Sequence, residues 1–357
     1  MRTLILFFTF LLLTSAEAAP DPYQARFGRE RPVIAILGSN HHTEISDFML
    51  PYGVLKRADV ADVLAVSTHT GMIGMSSGLQ VQPDASLAEF DQHYPDGADY
   101  VIVPAMQGSK DSVLLAWLAT QAAKGGTLVS ICDGALILAN SGVLKGHRAT
   151  AHWATRGHRL EHYPETTWVA NARYVADGKV ITSAGISAAI PAALALVETI
   201  AGAERASAVA ADIGAVDWSA EHDSTVFGPH WGNLGIWLTW YTDPWFHSRR
   251  EIGVPVAPGV DEIALAITAD AWQRTQRARP VTVAAAATPL RTRFGLTIVP
   301  ERVAGANDAP EQMLHIPDST PPAQLWDQVL NHIASSYGPR TAQRLALEFE
   351  YPGYTPR

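Results

Sequence analysis

The stretch Thr127-Leu128-Val129-Ser130-Ile131-Cys132-Asp133-Gly134-Ala135 decides the reading of the fold. A buried-strand pattern at 127–131 runs straight into a cysteine, and a helix rich in Ala and Leu follows. A nucleophile on a sharp strand-to-helix turn stands exposed at the carboxyl end of a sheet. The helix N-terminus favours the thiolate, and Gly134 lets the following backbone pass closely. On that basis Cys132 is expected to be accessible and reactive. A lone cysteine after a strand can equally be a small core residue, and spacing alone leaves both readings open.

Working outward, strand patterns at 33–37, 60–67 and 100–103 alternate with helical patterns at 44–58 and 113–123. Residues 72–82 read as a hairpin containing Gly78, and 174–181 carry an Asp177-Gly178 turn. A helix is expected at 187–200. This alternation predicts an α/β fold, a flavodoxin-like sandwich with a mostly parallel sheet covered on both faces.

A second unit of the same kind follows. Segment 44–58 matches 261–275, each an amphipathic helix with a basic residue in its last turn. Strands at 63–67 and 281–285 come next. Then Gly78-Leu79-Gln80-Val81-Gln82-Pro83-Asp84 matches Gly295-Leu296-Thr297-Ile298-Val299-Pro300-Glu301, with a single-residue gap over the whole register. Residues 252–256 take the place of the first strand, and 313–317 echo 100–104. The helix at 325–334 echoes either 112–121 or 194–201. The pattern implies a degenerate second α/β lobe, although two ordinary βαβ units can resemble each other by chance. The second unit lacks a counterpart of 127–186, and with it the cysteine. It is expected to be a structural lobe without an active site of its own, with Leu296, Ile298 and Leu330 in its core.

Residues 215–247 contain Trp218, Trp231, Trp237, Trp240 and Trp245, half of the 10 tryptophans. Packing between lobes is the expected use of so much indole area. An aromatic ligand wall or a membrane-surface patch is the functional alternative. At the N-terminus, Arg2, the apolar run 4–13 and Ala16-Glu17-Ala18 before Pro20 read as a secretory signal peptide. The expected organisation is a signal peptide at 1–18, a first domain at 31–210, a Trp-rich connection at 211–250 and the degenerate copy at 251–357. The expected location is secreted or periplasmic.

The 357 residues are 47% hydrophobic, enough for a large core, and the single cysteine excludes an intrachain disulfide. With 26 Lys+Arg against 35 Asp+Glu the net charge is -9. An acidic chain without a basic run is a poor nucleic-acid partner, because phosphate contacts dominate that affinity. No internal apolar stretch is long enough to span a bilayer. His158 and His162 lie one helical turn apart, but no third carboxylate or thiol completes a metal-ligand spacing, so a surface role is expected and no metal or cofactor is implied.

Three segments together carry a family likeness: Ile131-Cys132-Asp133-Gly134-Ala135, then Ala149-Thr150-Ala151-His152-Trp153, then Tyr174-Val175-Ala176-Asp177-Gly178-Lys179-Val180-Ile181-Thr182-Ser183-Ala184-Gly185-Ile186-Ser187-Ala188. They resemble the DJ-1/PfpI superfamily, the cysteine branch of the class I glutamine amidotransferase-like fold. The His-Trp pair and the Thr-Ser-Ala-Gly run look most like isocyanide hydratases and the sensor domains of AraC-type regulators. The likeness covers about 31–210. It implies that Asp47, four residues before Pro51, is the acidic partner of Cys132, and that His152 is the histidine near the thiol. Asp133, Gly134, Ala105, Met106 and Gly185 would line the substrate pocket. From the residues alone, Asp47 is as well explained as a cap or surface group, and His152 as a satisfied core histidine.

Three departures from the family pattern matter. Asp133 stands where protease-like and glyoxalase-like members have histidine and where isocyanide hydratases have threonine. A carboxylate there would raise the thiol pKa, against the helix dipole. The family's Gly-Gly after the third strand is Ala105-Met106, with Gly108 later, so an oxyanion site from that loop is not assured. Two classes of function stay open. One is a cysteine-dependent hydratase or hydrolase of a small electrophile. The other is a non-catalytic small-molecule-binding or sensory module. No helix-turn-helix domain is visible, and an oligomer is compatible with the sequence.

Overall fold

Strands β1 (Val33–Gly38), β6 (Tyr100–Val103) and β7 (Thr127–Ser130) are buried along their whole length, the signature of parallel strands covered on both faces. The computed structural model describes residues 20–310, 312–317 and 319–355. The expected signal peptide lies outside the described residues.

From the first strand the chain passes through α1 (Ile45–Ala58), β2 (Asp62–Ser67), the hairpin β3 (Ile73–Gly74) and β4 (Gln80–Gln82), β5 (Ala85–Ser86) and α2 (Leu87–His93). After β6 come α3 (Ser112–Ala123), β7, α4 (Gly134–Asn140) and β8 (Arg148–Ala149). Then follow α5 (Arg156–His162), β9 (Thr167–Trp168), the antiparallel pair β10 (Tyr174–Asp177) and β11 (Val180–Ser183), α6 (Ala189–Ala201) and α7 (Ala203–Ile213). The main sheet has seven strands in the order β10-β11-β7-β6-β1-β2-β5, all parallel except the β10–β11 hairpin. The α/β fold with a mostly parallel sheet is therefore as the alternation predicts. Helix α2 has a sequence signal that the periodicity reading passed over. Ser86 and Glu89 form a reciprocal capping box at its start.

Beyond 214 the elements are α8 (Leu234–Trp237), α9 (Thr239–Phe246), β12 (Arg250–Pro255), α10 (Glu262–Arg274) and β13 (Ala278–Ala284). After these come β14 (Leu290–Arg291), β15 (Thr297–Val299), β16 (Arg302–Val303), α11 (Leu325–Tyr337) and α12 (Pro339–Glu348). Parallel β12-β13-β16 make a small sheet, so the second α/β lobe is present. Residues 313–317 form no strand. Only an isolated bridge joins Met313 to Gly253, held by the Gly253 N–H to the Gln312 carbonyl and the Leu314 N–H to the Gly253 carbonyl. Leu296, Ile298 and Leu330 are buried.

The two lobes meet across a local pseudo-twofold. Helix α1 buries every residue but Lys56 and packs on α10, as expected of a helix that is apolar all round. Asp261 caps α10 where Glu44 precedes α1, and Arg274 and Arg57 occupy their last turns. The ion pairs are reciprocal: Arg57 to Asp261, and Arg274 to Glu44 at 2.5 Å. Strand β4 pairs antiparallel with β15, Val81 facing Ile298, in the ribbon β14-β15-β4-β3. Self-complementary contacts of this kind characterise twofold interfaces. A β-carbon on Gly53 would come within 2.8 Å of Ile263, so this position keeps the helices close. One core cluster runs through both lobes.

The Trp-rich connection departs from expectation. Trp237 packs edge-on against Trp153, at 5.1 Å between ring centroids, and Trp240 lies under Arg344. Trp231 and Trp245, with Tyr241 and Phe246, face solvent instead. The inner faces of α8 and α9 are already satisfied by α12, which leaves nothing to cover the outer ones.

Candidate active site

Cys132 sits at the carboxyl end of β7 with φ +56°, a left-handed backbone that a residue with a β-carbon rarely adopts. The turn is fixed by the Ile131 N–H to the Val103 carbonyl and the Gly134 N–H to the Ile131 carbonyl. At Gly134 a β-carbon would lie 1.9 Å from the Val103 carbonyl oxygen, so only glycine allows α4 to start there. The thiol is not exposed as the turn alone suggests, since Cys132 is 6% accessible. Burial pushes its pKa well up, and the charges of Asp47 and then Asp133 push it further. The Asp133 N–H and Arg274 act in the opposite direction and do not prevail.

Asp47 is fully buried in the first turn of α1. Its Oδ2 accepts the Ala105 N–H at 3.1 Å, while Oδ1 has no protein partner. Burial, and then the charge of Glu44, raise its pKa well above the carboxylate range. The Ala105 N–H therefore serves Asp47 rather than a bound oxyanion. The loop at Ala105 and Met106 is pinned to the start of α1 by the Glu44 N–H to the Ala105 carbonyl and by a Thr43–Met106 bridge. Around Asp47 stand Glu44, Asp270 and Arg274. Glu44 is held down to about 2: burial acts upward, but Arg274 and His42 outweigh it. Asp270 is raised to about 6, first by burial. Glu44, Asp270 and Arg274 also line a cleft of about 680 Å³ between the lobes.

Residues 33–199 match the DJ-1/PfpI family. The isonitrile hydratase of Pseudomonas putida is 32% identical over 167 residues, which cover 46% of this chain and 70% of that protein. The chain belongs to the DJ-1/PfpI family. The HTH-type transcriptional regulator CdhR of Pseudomonas aeruginosa is 32% identical over 143 residues, covering 39% of this chain and 41% of the regulator. The crystal structure of Drosophila melanogaster DJ-1beta matches 52% of this chain and 100% of that one, at 25% identity and a TM-score of 0.48.

In this DJ-1/PfpI chain the other positions singled out from the sequence also gather at the elbow. Asp133 accepts a hydrogen bond from the Thr155 hydroxyl at 2.7 Å, and burial raises its pKa. Buried Arg159 donates to the same hydroxyl oxygen and to the His152 carbonyl. The His152 ring is engaged on both sides. Nε2 lies 2.8 Å from the Glu348 carbonyl, and Nδ1 accepts the Ala154 N–H. This pattern suits the tautomer protonated at Nε2. It ties the elbow region to the end of α12 and leaves neither ring nitrogen for the thiol. His158 and His162 stack at 4.1 Å on an exposed face of α5.

Glu350 was not legible as a site residue. The turn after α12 carries it into the first lobe at φ +53°, fully buried. It accepts the Trp153 N–H at 3.0 Å and meets His222 Nε2 at 2.5 Å. Burial acts to raise its pKa, but the hydrogen bonds from His222 and from the Trp153 N–H hold it below the usual value. Gly185 makes the space, since a β-carbon there would lie 2.6 Å from the Glu350 side chain. The same turn bonds Ser187 through the Phe349 and Glu350 carbonyls. The second lobe has no elbow in its described residues, yet through Arg274 and Glu350 it walls in the elbow of the first.

Proposed function

We propose that the protein is a cysteine-dependent hydratase or hydrolase of a small carbon electrophile, with Cys132 as nucleophile and Asp47 as proton donor and acceptor. The observation that supports this most is the strained Cys132 turn beside a buried carboxyl whose pKa burial raises and one of whose oxygens has no protein partner. In the hydratase form the sulfur bonds to the electrophilic carbon. Asp47 gives its proton to the substrate, at nitrogen for a nitrile and at the same terminal carbon for an isonitrile, and takes the proton of the thiol, so S–H adds to the substrate as a thioimidate. Water then attacks the same carbon, the C–S bond breaks, and the proton released by water restores the thiol through Asp47. The net change is addition of one water. The cleft at Glu44 and Arg274 is the proposed route of entry.

Similarity to an isonitrile hydratase makes isonitriles the first substrates to try, beside nitriles and α-ketoaldehydes. Turnover that is abolished by Cys132→Ser supports the enzyme. A second reading, a small-molecule-binding module, is favoured by the burial of the thiol, which pushes its pKa well up. Ligand binding without turnover, unchanged in Cys132→Ser, would select it. We further propose that residues 251–357 are a degenerate copy standing where a second subunit would pack. The chain is also proposed to be exported after loss of residues 1–18, which an intact mass of the exported protein checks.

A further inference from the structure

The segment from Trp231 to Phe246 is amphipathic with its apolar face turned outward. Leu234, Leu238, Tyr241 and Trp245 recur at i, i+4, i+7 and i+11, which places them on one face of the nearly continuous α8–α9 helix. That face is open to solvent: Trp231 is 94% exposed, Trp245 82%, Phe246 74% and Tyr241 69%. The opposite face holds the contacts to the body of the protein. Trp237 packs on Trp153, the Thr239 hydroxyl accepts from Arg344, and buried Asp243 accepts from Thr341. Isolated exposed apolar residues need no explanation, but a contiguous aromatic face of this size does.

The composition and charge of the face indicate its occupant. Tryptophan and tyrosine favour the boundary between water and lipid, where an apolar ring and a polar N–H or O–H are satisfied together. Between Gly228 and Arg250 the sole acidic residue is Asp243, which is buried and lies 3.8 Å from Arg344. The exposed charge carrier beside the aromatic face is Arg250, with His247 nearby; Arg249 is turned inward to the Ala278 carbonyl and the Gln273 side chain, and Glu251 is taken up by Arg279 and Arg302. In a chain of net charge -9 this is a local reversal of sign. Among the described residues no helix is long and apolar enough to cross a membrane.

We propose that the α8–α9 face is an interfacial docking surface for an anionic phospholipid bilayer, with the helix lying in the headgroup plane. Trp231, Leu238, Tyr241, Trp245 and Phe246 enter the interface, and Arg250 meets the lipid phosphates. Trp240, Pro244, His247 and Arg249 also rim the cleft beside Glu44 and Arg274. Docking therefore turns the mouth of that cleft toward the lipid surface.

The test uses the mature chain with vesicles of pure phosphatidylcholine and vesicles containing phosphatidylglycerol. The wild type is expected to co-sediment with the anionic vesicles and to shift its tryptophan emission to the blue. Trp245→Ser with Tyr241→Ser should lower the partition coefficient roughly tenfold or more, because binding scales with buried apolar area. Both side chains are exposed, so the melting temperature should not move. Arg250→Glu and added salt should each weaken binding. Co-sedimentation with neither vesicle overturns the proposal. Equal binding to both vesicles overturns the anionic assignment. Self-association in the analytical ultracentrifuge, lost in the double variant and accompanied by no vesicle binding, would make the face a contact between copies of this chain.

Discussion

Helices α1 and α10 occupy equivalent places in the two lobes but hold opposite kinds of group at the same position. Three residues beyond Glu44 stands Asp47, buried beside the elbow. Three residues beyond Asp261 stands Ala264. Ala264 lines a cleft of about 650 Å³ at the carboxyl end of β12, the end of an α/β sheet that usually binds its ligand. The comparison teaches that the frame and the chemistry are separable. The reciprocal ion pairs and the Val81–Ile298 contact hold the frame on both sides, while acid and thiol are present on one.

The sharpest way to break this contrast is to remove the thiol. In the enzyme reading, Cys132→Ser should lower turnover by about three orders of magnitude or more, since a hydroxyl is far less acidic and less nucleophilic than a thiol. Residual turnover at the wild-type level would place the chemistry elsewhere, with the Ala264 cleft as the next candidate.

Glu350→Ala comes next, because it severs the reach of one lobe into the other. It leaves His222 and the Trp153 N–H without their buried partner, and losing one member of a buried pair costs about 3–5 kcal/mol. Denaturant unfolding reads the loss. Faster alkylation of Cys132 in the folded variant would show that the α12 turn is the lid over the thiol. An unchanged rate would show that the first lobe buries the thiol unaided.

Leu330→Ala tests the second lobe as a packed body. A fully buried leucine should cost about 2–5 kcal/mol on truncation. A loss of turnover at unchanged stability would contradict a structural role for α11.

The smallest effect concerns Asp47→Asn and pH. Below the unfolded carboxylate pKa of about 3.9 both states are protonated and burial carries no ionic penalty. As pH rises the unfolded state ionises while native Asp47 keeps its proton, so wild-type stability falls until the raised native pKa is reached. The slope per retained proton is at most about 1.4 kcal/mol per pH unit. Asp270 contributes a like decline up to about 6. Asn at 47 can still accept the Ala105 N–H but has no proton to lose. Its stability should therefore decline less from pH 4 to pH 8 than that of the wild type. Parallel curves in the two proteins would show that Asp47 ionises freely.

The elbow, the parallel strands and the helices at 44–58 and 261–275 were legible because each rests on local pattern. A strand ends at a cysteine, a glycine permits a close approach, and a basic residue closes a helix. The twofold contact follows once two such helices share a register. What escaped depends on distance in sequence or on competition. Glu350 meets Trp153 across 197 positions, and nothing in 348–352 marks it. The dipole argument for a reactive thiol is sound locally, but it is outweighed by burial and two carboxylates. His152 lies near the elbow, yet its ring is spent on backbone groups of both lobes. The tryptophans of 215–247 divide between packing and exposure, and composition alone could not apportion them.

The pairing of α1 with α10 within one chain has a consequence for change over time. In a homodimer every substitution at the seam occurs twice, once on each side of the axis, so a cavity or an added charge meets its own duplicate. Here the two sides are separate stretches of one gene product. Gly53 can stay bare to admit Ile263 while the matching position on α10 is Asp270, held by Arg274. The tether also keeps the halves together at any dilution. Each side is free to drift alone.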